Sequence, residues 1–304
     1  MQTERTAPEA GSDPTFSVGE VAELTGIAPA TLRIWERRYG VPLPVRLPSG
    51  HRRYTQEQIQ WLRKVSEALS LGHRVKAVLS AAPEDLDAML RPSARVRERD
   101  ADVEVLLELT RRYDGARVHD HLNRLAQTLP VIDYLEKKVG PLLFEVGREW
   151  ADGNLDVRHE HFLTQIVDDN LRILRVSLGA PTTSSPPVLL TTLSSESHSL
   201  GIQMAAVVCQ LVGVRFRTLG VSTPVAEIVK ACDETNARAV CISISMSSAG
   251  VETDKRLSDL RHLLPEHVQI VLGGEGTRRI RRSPRGISIY RRFSEFQKFL
   301  MNQL

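Results

Sequence analysis

Glu196 and His198 stand in a polar loop that follows a short apolar run, VLLTT at residues 188–192. A neutral imidazole is the commonest metal ligand in proteins. A carboxylate two residues earlier can accept a hydrogen bond from the other ring nitrogen, which orients the ring and raises its basicity. The pair therefore fits a metal-ligating histidine with its orienting partner, although a hydrogen-bonded surface histidine is the commoner interpretation of such a residue.

Trp150, Glu160 and His161 form a second group with the chemistry to hold a ligand. The turn around Gly153 brings Trp150 close to the first turn of the next predicted helix. The three side chains then converge at one end of a helical bundle, where they could cover a ligand. A tryptophan at a helix end with solvated polar neighbours explains the same residues, and the sequence leaves both interpretations open.

Charge is distributed unevenly along the chain. Residues 16–80 carry ten lysines and arginines against five acidic residues, a net charge of +5, whereas the rest is −2 (30 basic minus 32 acidic). A basic region on a near-neutral body indicates a polyanionic partner at that end. A second group of arginines, at 278–285, is interpreted as a solvated face.

The basic region predicts two short helices around a glycine turn. Ser17 and Glu20 form an S-x-x-E capping box that begins the first helix, and Pro29 suits the first position of the second. This pattern is typical of a helix-turn-helix, and residues 46–54 follow it as a basic hairpin, or wing. The candidate DNA-contacting residues are Thr31, Arg33, Arg37, Arg38, Arg46, His51, Arg52, Arg53 and Tyr54.

The rest of the chain divides into helical and alternating parts. Four apolar periodicities predict a helical bundle, and apolar runs that alternate with helical stretches predict a doubly wound parallel sheet of the flavodoxin-like kind. The predicted organisation is a disordered tail (1–15), a winged helix-turn-helix head (16–82), a linker with a short helix (83–100), a four-helix bundle (101–180) and an α/β domain (187–304).

Apolar residues at helical spacing predict which faces of the bundle helices turn inward. The predicted inward residues are Val118, Leu122 and Leu125 on the second helix, Val131, Leu135, Val139, Leu142 and Val146 on the third, and Phe162, Ile166 and Ile173 on the fourth. Cys209, Cys232 and Cys241 are interpreted as small buried hydrophobic residues. No apolar run is long enough to span a membrane and the N-terminus is polar, so we expect a cytoplasmic protein without a membrane partner.

The run TLRIWERRYG at 31–40, followed by R-x-x-x-G-H-R-R-Y at 46–54, resembles the DNA-binding domain of the MerR family of transcription regulators. The resemblance covers roughly residues 15–82 and implies a dimeric protein that binds near-palindromic operator DNA. The dimerisation coiled coil of that family is not evident, because residues 83–100 are short and broken by proline. This departure moves assembly to the C-terminal half.

Residues E-S-H-S-L-G, L-G-x-x-T-P, S-I-S and G-G resemble the cobalamin-binding domain, with the helical bundle as its cap. In that family the histidine of D-x-H-x-x-G is the lower cobalt ligand. The resemblance implies that His198 ligates cobalt and Glu196, in place of aspartate, orients it. The implied cofactor-binding residues are Trp150, Glu160, His161, Glu196, His198, Gly201, Leu219, Thr223, Ser243, Ser245, Gly273 and Gly274.

The displaced tail of the cofactor would run down a slot lined by Ser243, Gly273 and Gly274. Ser245 stands where that family often has leucine, which is a second departure.

A MerR-type head joined to a bundle and a cobalamin domain resembles the B12-dependent photoreceptor repressors of the CarH/LitR type. Their cap motif, W-x9-E-H, is matched by Trp150, Glu160 and His161. The resemblance implies that adenosylcobalamin, with methylcobalamin as the other possibility, stabilises a homo-tetramer that binds the operator. Light would break the cobalt–carbon bond, dissociate the tetramer and release the gene.

One residue departs from the photoreceptor pattern. A histidine directly after the cap tryptophan becomes the upper cobalt ligand after photolysis in that group, and here the position is Ala151. His159 and His161 are nearby substitutes. The departure favours a light-indifferent cobalamin-sensing regulator as the alternative. A corrinoid methyl-carrier protein, and a MerR regulator whose α/β domain binds another ligand, are the remaining alternatives; the leading interpretation is a regulator, not an enzyme.

Overall fold

The computed structural model describes residues 15–70, 73–90, 100–181, 185–246, 248–280 and 285–303. The side chains of Ser70, Val251 and Gln303 are outside this description. The predicted disordered tail, most of residues 91–100, Arg281 and Arg282 lie outside the described residues. The chain forms two compact units, an N-terminal one and a larger C-terminal one.

The N-terminal unit begins with a short strand and the predicted helix-turn-helix. Its elements are β1 (Thr15–Ser17), α1 (Val18–Thr25), α2 (Pro29–Tyr39), β2 (Val45–Arg46), β3 (Arg52–Thr55), α3 (Gln56–Ser70), α4 (Val75–Leu79) and α5 (Pro83–Leu90). The capping box is present, since the Ser17 N–H donates to Glu20 Oε2 at 2.6 Å and the Glu20 N–H donates to Ser17 Oγ at 3.3 Å. Gly26 ends α1 in a left-handed conformation, with φ at +68°.

The wing is confirmed as an antiparallel hairpin in which Arg46 pairs with Arg52. β1 adds a third strand on the other side of β3, where Phe16 pairs with Tyr54. The structure corrects part of the predicted linker, because α5 places Leu86 in the core of this unit at 1% exposure. Because Leu86 is buried there, residues 83–90 belong to the core of the N-terminal unit and are not a linker.

The C-terminal unit starts with the predicted bundle. Its helices are α6 (Ala101–Arg111), α7 (Gly115–Thr128), α8 (Val131–Tyr134), α9 (Gly140–Ala151) and α10 (Val157–Ser177). A π-helical segment, Leu135–Val139, joins α8 to α9, so these form the one long third helix that the sequence predicted. The predicted inward residues of the second and third helices are buried, except that Val131 is half-buried.

The inward face predicted for the fourth helix, α10, is only partly right, since Ile166 packs against the core whereas Phe162 and Ile173 do not belong to it. Phe162 and Ile166 are half-buried and Ile173 is 51% exposed. The buried residues of α10 are Leu163, Val167, Asn170 and Leu171. Two adjacent rows of apolar residues run along α10, one through Leu163 and Val167 and the other through Phe162 and Ile166. Periodicity alone does not show which row packs against α7 and α11.

The second part of this unit is a five-stranded parallel sheet. Its strands are β4 (Val188–Leu193), β5 (Phe216–Thr223), β6 (Ala239–Ser243), β7 (Gln269–Gly273) and β8 (Ile287–Ile289). The helices of this part are α11 (Leu200–Leu211), α12 (Val225–Thr235), α13 (Val251–Leu263) and α14 (Phe293–Gln303). The strand order β5-β4-β6-β7-β8 is that of a flavodoxin-like doubly wound fold, as predicted.

Helices cover both faces of the sheet. Alternate strand residues such as Leu190 and Cys241 join a core shared with the bundle and α11, whereas Leu189 and Ile242 join a core with α12 and α13. All three cysteines are buried and free, which agrees with their interpretation as hydrophobic residues. Within the described residues, no helix is both long enough and apolar enough to cross a membrane.

Candidate functional site

The recognition-helix residues of the head lie on α2. Leu32 and Trp35 turn into the core at 0% and 6% exposure, as predicted. Arg33, Arg37 and Arg38 are exposed, because they occupy the opposite side of the same helix. Three cations on one solvent-facing helix surface are suited to phosphate and base-edge contacts. Thr31 is half-buried at the start of this helix.

Glu36 ties the wing to α2. Arg46 Nη2 lies 2.7 Å from Glu36 Oε1 and Arg52 Nε lies 2.6 Å from Glu36 Oε2. The hydrogen bond from Arg52, together with that from Arg46, lowers the pKa of Glu36 against the opposing effect of burial. Two of the predicted DNA-contacting arginines therefore also fix the angle between wing and helix. Sequence reasoning missed Glu36, although its position directly before the two arginines of WERR was a signal.

The other wing residues differ in their availability. His51 is exposed at the turn, where its Nδ1 lies 2.8 Å from Ser49 Oγ. Arg53 is partly exposed, 3.7 Å from Glu20 Oε2. Tyr54 corrects the prediction, since it is 1% exposed and packs in the core of the head. An aromatic residue on the central strand of a small sheet contributes more by burial than by a surface contact.

The candidate cofactor site lies where β4 and β6 end, at the switch in strand order. Glu196 follows β4 and is 2% exposed. Its Oε1 accepts from the His198 N–H at 2.9 Å and is 2.6 Å from His198 Nδ1. Its Oε2 accepts from the Ser245 N–H at 2.8 Å and from Ser248 Oγ. Loops after two strands thus converge on one carboxylate.

This arrangement keeps Glu196 ionised. Burial by itself raises the pKa of Glu196, but the hydrogen bonds from His198, Ser245 and Ser248 outweigh it and bring the pKa to about 2. The carboxylate then accepts a hydrogen bond from the Nδ1–H group of a neutral His198. The proton stays on Nδ1, so Nε2 keeps the lone pair that can bind a metal. The hydrogen bond with Glu196 also raises the pKa of His198 against desolvation, and the charge of Glu160 acts in the same direction.

His198 itself is accessible. Its side chain is 59% exposed, and Nε2 has no hydrogen-bond partner among the described residues. A fixed Nδ1 and an accessible Nε2 are what a metal-ligating imidazole requires. The structure thereby favours the ligand interpretation of His198 over that of a fully satisfied surface histidine.

Glycines at the strand ends allow elements to approach closely. A Cβ on Gly201 would overlap the side chain of Ser243, whose own Cβ would be 3.1 Å away. A Cβ on Gly274 would overlap the carbonyl oxygen of Ile244, and φ at Gly274 is +92°. Gly276, which the sequence reading missed, meets the carbonyl oxygen of Ser245 in the same way. These glycines let neighbouring segments pack closely at this edge of the sheet, where a larger side chain would collide with them.

Three other predicted cofactor residues have identifiable positions. Thr223 ends β5, where its Oγ1 is 2.8 Å from Thr191 Oγ1. Leu219 is half-buried and packs with the core on the α12 and α13 side of the sheet. Gly273 ends β7, and a Cβ there would make only an ordinary contact, 3.7 Å from the carbonyl oxygen of Tyr290. Thr223 and Leu219 thus have structural contacts in the described chain.

The predicted cap residues lie at the end of α9 and the start of α10. Glu160 Oε1 accepts from Thr164 Oγ1 at 2.9 Å, and Glu160 is close enough to raise the pKa of His198. His161 is exposed and 3.4 Å from Glu160. Trp150 is half-buried. The charge of Glu160 thus links the cap electrostatically to His198 at the sheet edge.

The two histidines near Glu160 differ in their freedom. His159 Nδ1 accepts from the Asp156 N–H at 3.0 Å, and its ring stacks on Tyr113 with centroids 4.8 Å apart. His161 has a side chain that is 74% exposed. Of these two candidate substitutes for an upper ligand, His161 is the one whose ring is less constrained.

The residues present fit a corrinoid. A corrin macrocycle supplies its own equatorial nitrogens, so the protein needs to provide only an axial donor. His198 provides an accessible imidazole nitrogen and Glu196 orients it. This donor chemistry suits a cobalt cofactor at this edge.

Comparisons with known proteins agree with this division. Residues 16–81 match the family model of the MerR HTH family regulatory proteins. Residues 103–175 and 186–283 each match a model described as a B12 binding domain. The HTH-type transcriptional repressor CarA of Myxococcus xanthus is 31% identical over 87% of this chain and 88% of its own length.

The chain belongs to the family of HTH-type repressors that includes CarA. CarH of Myxococcus xanthus, a second transcriptional repressor of this family, is 28% identical over 87% of this chain and 90% of its own length. The predicted class, a MerR-type regulator joined to B12-binding domains and not an enzyme, is confirmed by these relatives.

A solved structure of another protein has a fold similar to that of about two thirds of this chain. The monomethylamine corrinoid protein of Methanosarcina barkeri has a TM-score of 0.52 and 14% identity, and it covers 66% of this chain and 96% of its own. At this identity the likeness concerns the fold alone. It agrees with a helical bundle followed by a parallel sheet.

Proposed function

We propose that this protein is a cobalamin-dependent transcriptional repressor that binds operator DNA as a homo-oligomer and responds to light. Cobalamin, with the adenosyl form favoured over the methyl form, would bind between α10 and the sheet edge. The observation that carries the proposal is the pair Glu196 and His198, whose 2.6 Å contact leaves Nε2 accessible at the switch point.

His198 would bind the cobalt ion through Nε2. Glu196 would orient the ring and keep the proton on Nδ1, since it is ionised and hydrogen-bonded by two loops. The tail of the cofactor would lie at the ends of β6 and β7, beside Ser243 and Gly273. When bound, the adenosyl form of the cofactor supplies a cobalt–carbon bond that visible light can cleave.

The cap residues Trp150 and Glu160 would respond to the ligand that cobalt carries on the side away from His198. The charge of Glu160 raises the pKa of His198, and Trp150 precedes the turn that leads to Glu160. A change at the upper face would act on α9 and α10, which pack against the rest of the bundle. A ligand that binds one assembly state better shifts the equilibrium towards that state, and we propose that the dark state is a tetramer.

The head would supply the DNA contacts. Arg33, Arg37 and Arg38 offer exposed cations on α2, and the wing is held against that helix by Glu36. A dimeric arrangement of heads would match a near-palindromic operator. Since repression requires access to the chromosome, the proposal includes the predicted cytoplasmic location.

Reconstitution with adenosylcobalamin in darkness tests the cofactor. The full chain should retain the cofactor through size-exclusion chromatography and show a visible spectrum that changes in the His198→Ala variant. His262→Ala, a change on α13 outside the site, serves as the matched control and should leave the spectrum unchanged. A wild-type protein that elutes colourless would contradict the proposal.

Green illumination tests the switch. We expect the mass measured by light scattering to fall after illumination, together with affinity for operator DNA. Ala151 favours a second candidate function, in which the protein senses cobalamin but ignores light. A cofactor-dependent change in mass that is the same in darkness and light would support that second candidate. The curated relatives do not favour the corrinoid methyl-carrier alternative.

A further inference from the structure

Arg279 is a partly buried cation whose charge is not balanced in the described chain. It ends the 3-10 helix Glu275–Arg279, which follows β7. Its Nε is buried and has no hydrogen-bond partner among the described residues. Its Nη1 makes a long bond, 3.4 Å, to the carbonyl oxygen of Met246. Burial lowers the pKa of Arg279, and no carboxylate in the described ranges offsets that effect.

Such a group calls for a physical explanation. Burying a charge is costly unless it is paired and hydrogen-bonded, and buried groups without partners in native proteins often mark a ligand or ion. The neighbouring Arg278 shows the ordinary alternative, since it is 65% exposed and pairs with Glu275 at 2.7 Å. Of two consecutive arginines, only Arg279 is turned towards the protein.

The position of Arg279 connects it with the candidate cofactor site. The Gly276 N–H, in the same 3-10 helix, donates to the carbonyl oxygen of Ile244 at 3.0 Å. Met246, which accepts from Arg279, follows Ser245, whose N–H donates to Glu196. Arg279 therefore packs on the loop that holds the orienting partner of His198.

We propose that Arg279 binds the phosphate of the cofactor's nucleotide tail, an inference that rests on the proposed cobalamin function. When a histidine takes the lower cobalt position, the nucleotide tail must leave cobalt, and its phosphodiester carries a negative charge into the protein. The guanidinium presents a planar set of donors that matches phosphate oxygens. The orphaned Nε and the uncompensated charge of Arg279 are then satisfied by the ligand.

Corrinoids that differ only in the tail test this assignment. The full chain is titrated in darkness with adenosylcobalamin, with adenosylcobinamide phosphate and with adenosylcobinamide, which lacks phosphate and base. Binding is measured from the visible spectrum. We expect Arg279→Gln to weaken binding of both phosphate-bearing ligands about tenfold or more, since hydrogen bonds to charged groups are among the stronger ones. Binding of adenosylcobinamide should stay within about twofold of the wild type, because that ligand offers no phosphate.

Arg278→Gln is the matched control and should leave all three affinities unchanged. An equal loss for all three ligands in Arg279→Gln would show that Arg279 acts through the fold, and no loss for any of them would also overturn the assignment. If Arg279→Gln does not fold, Arg279→Lys keeps the charge and should lose part of the affinity for the phosphate-bearing ligands alone. Failure of the wild type to bind any corrinoid would instead refute the proposed function.

Discussion

Arg33, Arg37 and Arg38 stand exposed on a single helix of the head, whereas Glu196 in the C-terminal unit is buried and receives hydrogen bonds from two loops. The head presents charge on local structure that forms wherever α2 forms. The cofactor site needs strands that are distant in the sequence to end at one edge. Substitutions of these α2 arginines should therefore each have an independent effect, whereas a substitution at the sheet edge should also affect the hydrogen-bond partners of the residue that is replaced.

The strongest test of that difference is Glu196→Gln. The amide would keep the shape but lose the charge that holds the Nδ1 proton, so we expect cobalamin affinity to fall by up to about 100-fold, the range seen for outer-shell partners of metal ligands. The measurement is a spectroscopic titration in darkness, with Glu227→Gln on α12 as the exposed control. An unchanged affinity would mean that Glu196 acts independently of His198.

The second test concerns pH. The contact with Glu196 holds the pKa of His198 above its usual value of 6.5. A proton and cobalt compete for Nε2, so lower ligation should weaken as pH falls through that raised pKa, and the loss should begin at a higher pH than for an ordinary histidine. Nuclear magnetic resonance titration of the cofactor-free protein measures the pKa directly. In Glu196→Gln it should shift downwards, and a His198 that titrates below 6.5 in the wild type would oppose this expectation.

The third test is Arg33→Ala in the head. Loss of a base or phosphate contact should weaken binding to a selected operator by about tenfold, from the lower part of a 1–3 kcal/mol range. Arg112→Ala removes one exposed arginine from the bundle and controls for net charge. Fluorescence anisotropy at several salt concentrations measures both affinity and salt dependence. Equal effects of the two substitutions would show that the head contributes only general charge.

The fourth test is Gly201→Ala, which asks how tightly the sheet edge is packed. The new Cβ would overlap the Ser243 side chain, so thermal unfolding should show a loss of about 1 kcal/mol or more. Gly147→Ala, in open space on α9, should not destabilise. Combining Gly201→Ala with Ser243→Gly removes the overlap and should restore part of the loss. Stability unaffected in the single variant would rule out the close approach.

The smallest expected effect is that of Tyr54→Phe. Tyr54 is buried and its hydroxyl has no hydrogen-bond partner among the described residues, so removing the hydroxyl should change DNA affinity and stability by no more than about 0.5 kcal/mol, the low end of the net contribution of a hydrogen bond. Anisotropy and thermal unfolding of the head's transition measure the two quantities. A large loss of DNA affinity with unchanged stability would restore Tyr54 to the DNA interface and weaken the contrast between the two regions.

Sequence reasoning reached most of the fold because the determining interactions are local. The capping box at Ser17 and Glu20 lies within four consecutive residues, and each buried strand is a short apolar run between turns. The alternation of strands and helices predicted a doubly wound parallel sheet of the flavodoxin-like kind. The pairing of Glu196 with His198 was also predicted, because only Ser197 lies between them in the sequence.

Other features of the site could not be predicted from the sequence, because they depend on segments that come into contact only after folding. Ser248 donates to Glu196 across many residues of sequence, and nothing in its own neighbourhood marks it. Gly276 must lack a side chain because the carbonyl oxygen of Ser245, in the loop after β6, lies where its Cβ would be. The inward face of α10 depended on which of two apolar stripes its neighbours covered.

The amino-acid sequence alone determined the helix starts, the buried strands, the basic surface of α2 and the contact by which Glu196 orients His198. Each of these follows from interactions within a few residues. The tertiary structure decided that Tyr54 is buried, that Leu163 rather than Phe162 faces the bundle core, and that Arg279 turns inward beside Met246. These outcomes depend on burial against distant segments, and burial is a property of the packed chain rather than of any one stretch of it.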